Sequence, residues 1–259
     1  MSEPRGPLAG RHALVTGASR GIGAAIARTL AADGAVVTLL GRDAAALQAV
    51  ASVIGALHGW VAADIGDENA LQAAVAQARA ARGPIAVLVN NAGQAESAPF
   101  AKTSTELWQR MLAVNLTGTF HCTQAVLPDM LAARRGRIVN IASTAAQRGY
   151  AYVSAYVAAK HGVLGLTRSL ALELATKGIT VNAVCPGYTE TAIVSRAVAH
   201  IVAQTGRSAE QAKAELSRSN PQGRLIQPDD VADAVRWLCS DSAHAITGQA
   251  VSVSGGEVM

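Results

Sequence analysis

The feature that most restricts the fold is a short apolar run, His12-Ala13-Leu14-Val15, that ends in Thr16-Gly17-Ala18-Ser19-Arg20-Gly21-Ile22-Gly23. Beyond it, alanines and leucines recur at helical spacing to Leu30. A buried strand, a glycine turn and a helix in succession aim backbone N–H groups and the positive helix end at one spot, where a pyrophosphate can sit. Glycine is needed there because a Cβ would hold the phosphate away. The spacing is Gly-x-x-x-Gly-x-Gly, not the commoner Gly-x-Gly-x-x-Gly, so the turn needs the rest of the chain to give it meaning.

The same alternation continues. Apolar runs at Ala35–Leu40, Trp60–Ala63, Ile85–Val89, Arg137–Ile141, Ile179–Val184 and Ala250–Val253 are separated by stretches with helical spacing. Half of the residues are apolar and only 3% aromatic, a composition suited to parallel strands covered by alanine-rich helices. The expected fold is α/β: one doubly wound Rossmann-type domain over 1–259, with a seven-stranded parallel sheet and helices on both faces. The least regular part, 188–227, is expected to be a substrate lid. Thr103-Ser104-Thr105-Glu106 reads as a capping box that opens a long helix through Asn115, bent near Pro128. Gly178 is expected to be a helix C′ glycine and Pro228 a helix start.

Bulk chemistry excludes several classes. The net charge is +4, and the only tight basic group, Arg134, Arg135 and Arg137, reads as a solvated helix end. Without a basic stripe interleaved with aromatics, nucleic-acid binding is not expected. Cys122, Cys185 and Cys239 lack metal-ligand or disulfide spacing and suit a reducing, cytoplasmic compartment. No stretch approaches the ~20 apolar residues that span a bilayer, so no membrane partner is expected.

Chemistry concentrates in Ser154-Ala155-Tyr156-Val157-Ala158-Ala159-Lys160, with Ser143 upstream. On a helix, Tyr156 and Lys160 share one face. A phenol titrates near ~10, and a close ammonium favours the phenolate, which would make Tyr156 a usable acid and base near neutral pH. Ala142-Ser143 and Asn90-Asn91-Ala92-Gly93 both fall at strand ends, where an open α/β sheet admits its ligand. After the second strand stand Gly41, Arg42 and Asp43. An NAD-binding site places a carboxylate there, whereas an arginine accommodates a 2′-phosphate, so NADP(H) is favoured and NAD(H) left open. Asp43 is either an inward carboxylate or the N-cap of a helix over Ala44–Ile54.

With Thr16 to Gly23, Asn90 to Gly93, Asn115, Ser143, Tyr156, Lys160 and Pro186-Gly187 in this order, the chain resembles the short-chain dehydrogenase/reductase family from about Leu8 to Gly256. The resemblance implies an NAD(P)-dependent oxidoreductase that interconverts a ketone and a secondary alcohol. Tyr156 would exchange a proton with the reacting oxygen and Ser143 would hydrogen-bond it. Lys160 would bind the nicotinamide ribose, and Asn115 a water leading to solvent. Gly17, Ser19, Arg20, Gly21, Ile22 and Gly23 would hold the pyrophosphate side, Arg42 the 2′-phosphate, and Asp64 and Ile65 the adenine. Asn91, Ala92 and Gly93 would border the adenosine ribose. Pro186, Gly187, Thr189 and Thr191 would approach the nicotinamide and diphosphate. A homotetramer is also implied.

Tyr156 to Pro186 is further similar to ketoreductases of β-keto thioesters or polyketides and to 3-hydroxybutyrate dehydrogenases. The second subgroup holds a free carboxylate with a lysine three residues before its tyrosine and a histidine after its serine. Here those places are Val153 and Thr144-Ala145-Ala146. The reading therefore leans to a 3-oxoacyl thioester or another neutral ketone, with Ile193, Val194, Val198 and Ile201 lining the lid and Arg148 and Arg196 available to a CoA or carrier arm. A small secondary-alcohol dehydrogenase, or a nucleotide-binding sensor without turnover, remains the alternative.

Overall fold

A computed structural model describes residues 6–259. Seven strands form one parallel sheet: β1 (His12–Thr16), β2 (Val36–Gly41), β3 (Gly59–Ala62), β4 (Ile85–Asn90), β5 (Gly136–Ile141), β6 (Ile179–Pro186) and β7 (Ala250–Val253). Their order is β3-β2-β1-β4-β5-β6-β7. The chain moves outward in one direction from β1 to β3, then returns to pair β4 with β1 and builds the other way. That reversal opens a crevice beyond the carboxyl ends of β1 and β4, where such sheets bind ligands.

Helices α1 (Gly21–Ala32), α2 (Ala44–Ile54), α3 (Glu68–Arg82), α4 (Thr105–Leu112), α5 (Gly118–Ala133), α6 (Ser154–Leu174) and α9 (Pro228–Cys239) accompany the sheet. Two more, α7 (Ala192–Thr205) and α8 (Ala209–Ser217), lie in the long excursion after β6. Because strand side chains alternate, Ala13, Val15, Val37 and Leu39 pack with Ile26, Leu30, Val231 and Leu238 of α1 and α9. Leu14, Leu40 and Leu88 point the other way, against Leu71, Val126, Met130 and Leu174. Burial of these branched side chains on both faces is the main stabilising term. An amide ladder crosses the core: Asn90 Nδ2 donates to Asn140 Oδ1 at 2.9 Å and Thr123 Oγ1 at 3.1 Å, and Asn140 Nδ2 to Thr167 Oγ1 at 2.8 Å, while Asn90 Oδ1 is left without a partner among the described residues.

Three local expectations need correction. The cap at the start of α4 is Ser104, whose side chain accepts from Leu107 N–H, so Thr103 and Glu106 do not form the expected box. The long helix is interrupted at Ala113–Thr117, a π-helical turn around Asn115, rather than only bent near Pro128, which lies inside α5. Arg137 is no solvated helix end. It lies buried on β5, donates to the Gly136 carbonyl at 2.9 Å, and shares Asp241 with Arg11 and Arg135.

Gly178 closes the turn from α6 into β6 at φ +75°, and a Cβ there would collide with the Arg134 carbonyl. Gly178→Ala is expected to lower stability by about 2 kcal/mol or more, since the left-handed conformation alone costs an ordinary residue roughly 1–2 kcal/mol. Denaturant unfolding checks this; an unchanged midpoint would mean that the turn relaxes freely.

Candidate active site

The glycine turn between β1 and α1 is held from the neighbouring strand. Thr16 Oγ1 accepts the Asn91 and Ala92 N–H groups at 3.0 Å each, and Asn91 Nδ2 donates to the Thr16 and Gly17 carbonyls at 2.9 and 3.2 Å. Gly17 has φ +64°, and a Cβ on it would lie 2.8 Å from Ala92 Cα. A Cβ on Gly23 would strike the Gly17 carbonyl. Turn and helix end can approach each other, and a phosphate, only because these positions lack side chains. Thr191 stands across the turn, with Cγ2 3.3 Å from where a Gly21 Cβ would be. Residues 189–191 are joined to the excursion's far end by a bridge between Thr189 and Ile226. The Asn91 side chain braces the turn, so any contact of this residue with a cofactor falls to its backbone. Thr16, the centre of that bracing, is not marked out by the sequence; a strand-end threonine carries no distinctive local signal.

At the end of β2 the two readings of Asp43 separate. Its carboxylate accepts from Ala46 N–H at 3.0 Å and caps α2. Gly41 therefore presents no acid, and an added Cβ would meet only Leu47 at ordinary van der Waals distance. Arg42 is exposed, with Nη1 3.5 Å from Asp64 Oδ2. Asp64 also accepts Gly66 N–H at 2.9 Å. An exposed ion pair of that length holds its arginine weakly, so the guanidinium can turn to a phosphate.

Ser143, Tyr156 and Lys160 meet at the carboxyl end of β5. Ser143 follows β5; its Oγ accepts from Ala145 N–H at 3.0 Å, which leaves its own proton to donate outward. Tyr156 and Lys160 rise from the first turns of α6, with the ammonium 5.7 Å from the phenol ring centroid. Lys160 is 4% exposed and donates to the Ile141 carbonyl at 2.8 Å. Burial lowers its pKa from 10.5 to about 8. Since the unfolded chain holds that proton more tightly, the destabilisation is relieved as pH rises from about 8 through 10.5. Burial also pushes the Tyr156 phenol above its ordinary value, opposed by the Ser143 hydroxyl. The lowering by Lys160 expected from their spacing is thus not the prevailing effect in the unliganded chain.

Asn115 is fully buried in the π-helical turn. Its Nδ2 donates to the Gln94 and Met111 carbonyls at 2.9 Å each, and its Oδ1 accepts from Gln94 N–H at 3.2 Å. A Cβ on Gly93 would lie 2.8 Å from that Oδ1 and 3.6 Å from Lys160 Nζ, so Gly93, Asn115 and Lys160 share one small space. Pro186 ends β6, and Gly187 follows it with its N–H bonded to the Val253 carbonyl at 3.0 Å. Tyr188 stands near Tyr156 and pairs with a further tyrosine, neither marked by the sequence as a site residue. Tyr150 and Tyr188 meet edge to face, with centroids 6.3 Å apart. Tyr152, before α6, has φ +67°, an uncommon conformation for a non-glycine residue.

Comparison with known proteins agrees with this arrangement. Residues 11–202 match the family model of the short chain dehydrogenases. An acetoacetyl-CoA reductase of Shinella zoogloeoides is 43% identical, over 95% of this chain and 98% of its own length. A D-beta-hydroxybutyrate dehydrogenase of Cupriavidus necator is 38% identical, over 97% and 99%. Among solved structures, an actinorhodin polyketide ketoreductase variant with NADPH superposes with a TM-score of 0.93 at 39% identity, over 98% of both chains. With its glycine turn, its Ser143, Tyr156 and Lys160 at one sheet edge, and a family match over most of its length, the chain belongs to the short-chain dehydrogenase/reductase family, the NAD(P)-dependent oxidoreductases of ketones and secondary alcohols.

Proposed function

We propose that the protein reduces a neutral ketone, in the first instance a 3-oxoacyl thioester, with NADPH as the preferred cofactor. The observation that carries the reading is the convergence of the Ser143 hydroxyl, the Tyr156 phenol beside it and a buried ammonium at the edge of β5. A sensor without turnover would need none of these; a buried lysine is costly and is kept where its charge is used.

The glycine cradle fits a dinucleotide, whose nicotinamide supplies the hydride when bound. The proposed division of labour follows from the geometry. Tyr156 donates its proton to the carbonyl oxygen, and Ser143 donates a hydrogen bond to the same oxygen. Lys160 keeps its remaining N–H donors for the nicotinamide ribose hydroxyls and opposes the charge that grows on the phenolate. Asn115 fixes the 91–94 loop, and its π-helical turn holds the water through which the proton is replaced. Gly17, Ser19, Arg20, Gly21, Ile22 and Gly23 receive the pyrophosphate, Asp64 and Ile65 border the adenine, and Ala92 and Gly93 border the ribose. Pro186, Gly187, Thr189 and Thr191 approach the nicotinamide end, under a lid formed by 188–227.

The substrate reading rests on what is missing near the phenol. Val153 and Thr144-Ala145-Ala146 offer no cation to a short free acid. Val194 and Val198 turn inward on the excursion and pack with Ala212 and Leu225 into a small core, which leaves the exposed Ile193 as the apolar side chain of that helix open to an acyl chain. The acetoacetyl-CoA reductase relative favours the thioester reading over the hydroxybutyrate one.

Cytoplasmic residence is proposed from three buried free cysteines, and among the described residues no helix is long and apolar enough to cross a membrane. A homotetramer is proposed from the family and from the exposed Phe120 and Leu172 on α5 and α6. Light scattering is expected to give four chains per particle, and a monomer at micromolar concentration would contradict it.

Cofactor choice gives the sharper test. Charge-assisted hydrogen bonds from Arg42 contribute on the order of 1.5–3 kcal/mol each, and 1.4 kcal/mol is about tenfold. NADPH is expected to exceed NADH by at least roughly tenfold in kcat/KM, measured on a panel of ketones and β-keto thioesters. Gly41→Asp with Arg42→Ala should reverse the order, because the new carboxylate repels the 2′-phosphate. Equal efficiency of the two cofactors in the wild type would refute the assignment.

A further inference from the structure

Glu257 lies beyond β7, far in sequence from Ser143 and Tyr156, yet it is bonded to Tyr150 in the loop between them. Tyr150 Oη stands 2.6 Å from Glu257 Oε1 and 2.7 Å from Thr144 Oγ1. With one proton to give, the phenol donates to the carboxylate and accepts from the threonine, and burial with this carboxylate beside it raises its pKa. Ser219, between α8 and α9, donates to the same Oε1 at 2.8 Å. The other oxygen, Oε2, has no hydrogen-bond partner among the described residues and faces Gly187, where a Cβ would stand 3.0 Å from it. Gly187 leads to Tyr188, whose ring meets that of Tyr150 edge to face. The carboxylate is therefore joined on one side, through Tyr150, to the residue after Ser143 and on the other, at Gly187, to the start of the 188–227 excursion.

Its setting is asymmetric in charge. Arg148 is exposed, with its guanidinium 4.8 Å from the centroid of the Tyr150 ring, whereas Glu257 is partly buried and bonded to the hydroxyl of that tyrosine. A cation thus stands over Tyr150 and an anion at its hydroxyl. An anionic arm suits the cation; an anion attached directly beside the ketone would have to sit against Oε2.

We propose that Glu257 is a specificity-determining residue, its carboxylate held by Tyr150 and Ser219 so that it excludes 3-oxo acids bearing a free carboxylate and admits their neutral esters and thioesters. The inference rests on the reading of the site as a ketone reductase. Specificity of this kind is a difference of affinities, obtained by placing repulsion against the wrong substrate. It differs from the missing cation at Val153, which only fails to attract the acid.

The test uses the full chain saturated with NADP⁺, so that an added ketone binds without turnover, and titrates ethyl 3-oxobutanoate and the 3-oxobutanoate anion by calorimetry. Glu257→Gln keeps an oxygen for Tyr150 and Ser219 and removes the charge. It is expected to tighten the anion about tenfold while the ester changes less than about threefold. Tyr150→Phe keeps the charge and removes the donor, and should leave the ratio of the two affinities within about twofold of wild type. An unchanged ratio in Glu257→Gln, or no binding of either ligand in either protein, would overturn the proposal, as would an equal gain in Tyr150→Phe. Turnover with NADPH is recorded separately: an ester that binds but is not reduced contradicts the proposed reaction, and the affinity ratio still decides the role of Glu257.

Discussion

The ammonium of Lys160, nearly closed off from solvent and bonded to the Ile141 carbonyl, is the interaction on which the rest of the site depends. Taking a cation out of water costs several kcal/mol unless partners replace the lost hydration. One carbonyl replaces only part of it, so the pKa falls to about 8 and the group is left wanting acceptors. The surrounding structure supplies the space for them: Gly93 without a side chain, the Asn115 turn beside it, and the edge of β5 below. In the proposed reaction the ribose hydroxyls and a water occupy that space. Binding then raises the charge on the lysine and stabilises the phenolate in one step.

This coupling accounts for the contrast between the two protonation states. In the unliganded chain burial dominates both groups, driving the phenol up and the ammonium down. The phenol is thereby kept protonated, the form in which the proposed reduction uses it, while the lysine, with a pKa of about 8, still carries its charge at neutral pH. The lowering of the phenol pKa expected from helical spacing alone belongs to the liganded site in this account.

Much of this is legible in the residues because it follows from local rules. The strands stand out as short apolar runs and Gly17 and Gly23 as positions where backbone must approach backbone, whereas Asp43 admits two readings until its bond from Ala46 N–H shows it as a cap. Other features have no local code. The π-helical turn at Asn115 reads as continuous helix, since its cause is the demand of Gln94 and Met111 on one amide. Arg137 reads as a surface residue because its partner, Asp241, lies far along the chain and only the sheet brings them together. The same holds for Glu257, whose contact with Tyr150 spans 107 positions. Residues joined across the sheet edge are invisible to spacing arguments and are where the structure adds most.

The central claim is that Tyr156 delivers the proton to the reacting oxygen while the cradle and Lys160 position the cofactor. The most direct measurement is single-turnover reduction of a ketone by Tyr156→Phe, followed by nicotinamide absorbance at saturating NADPH, with cofactor affinity from a fluorescence titration. The account predicts a rate at least the ~10²–10⁴-fold below wild type expected for a lost general acid, with cofactor affinity within about threefold of wild type, less than the factor of ten that 1.4 kcal/mol represents. Hydride transfer by the Tyr156→Phe variant within a factor of a few of the wild-type rate would contradict it.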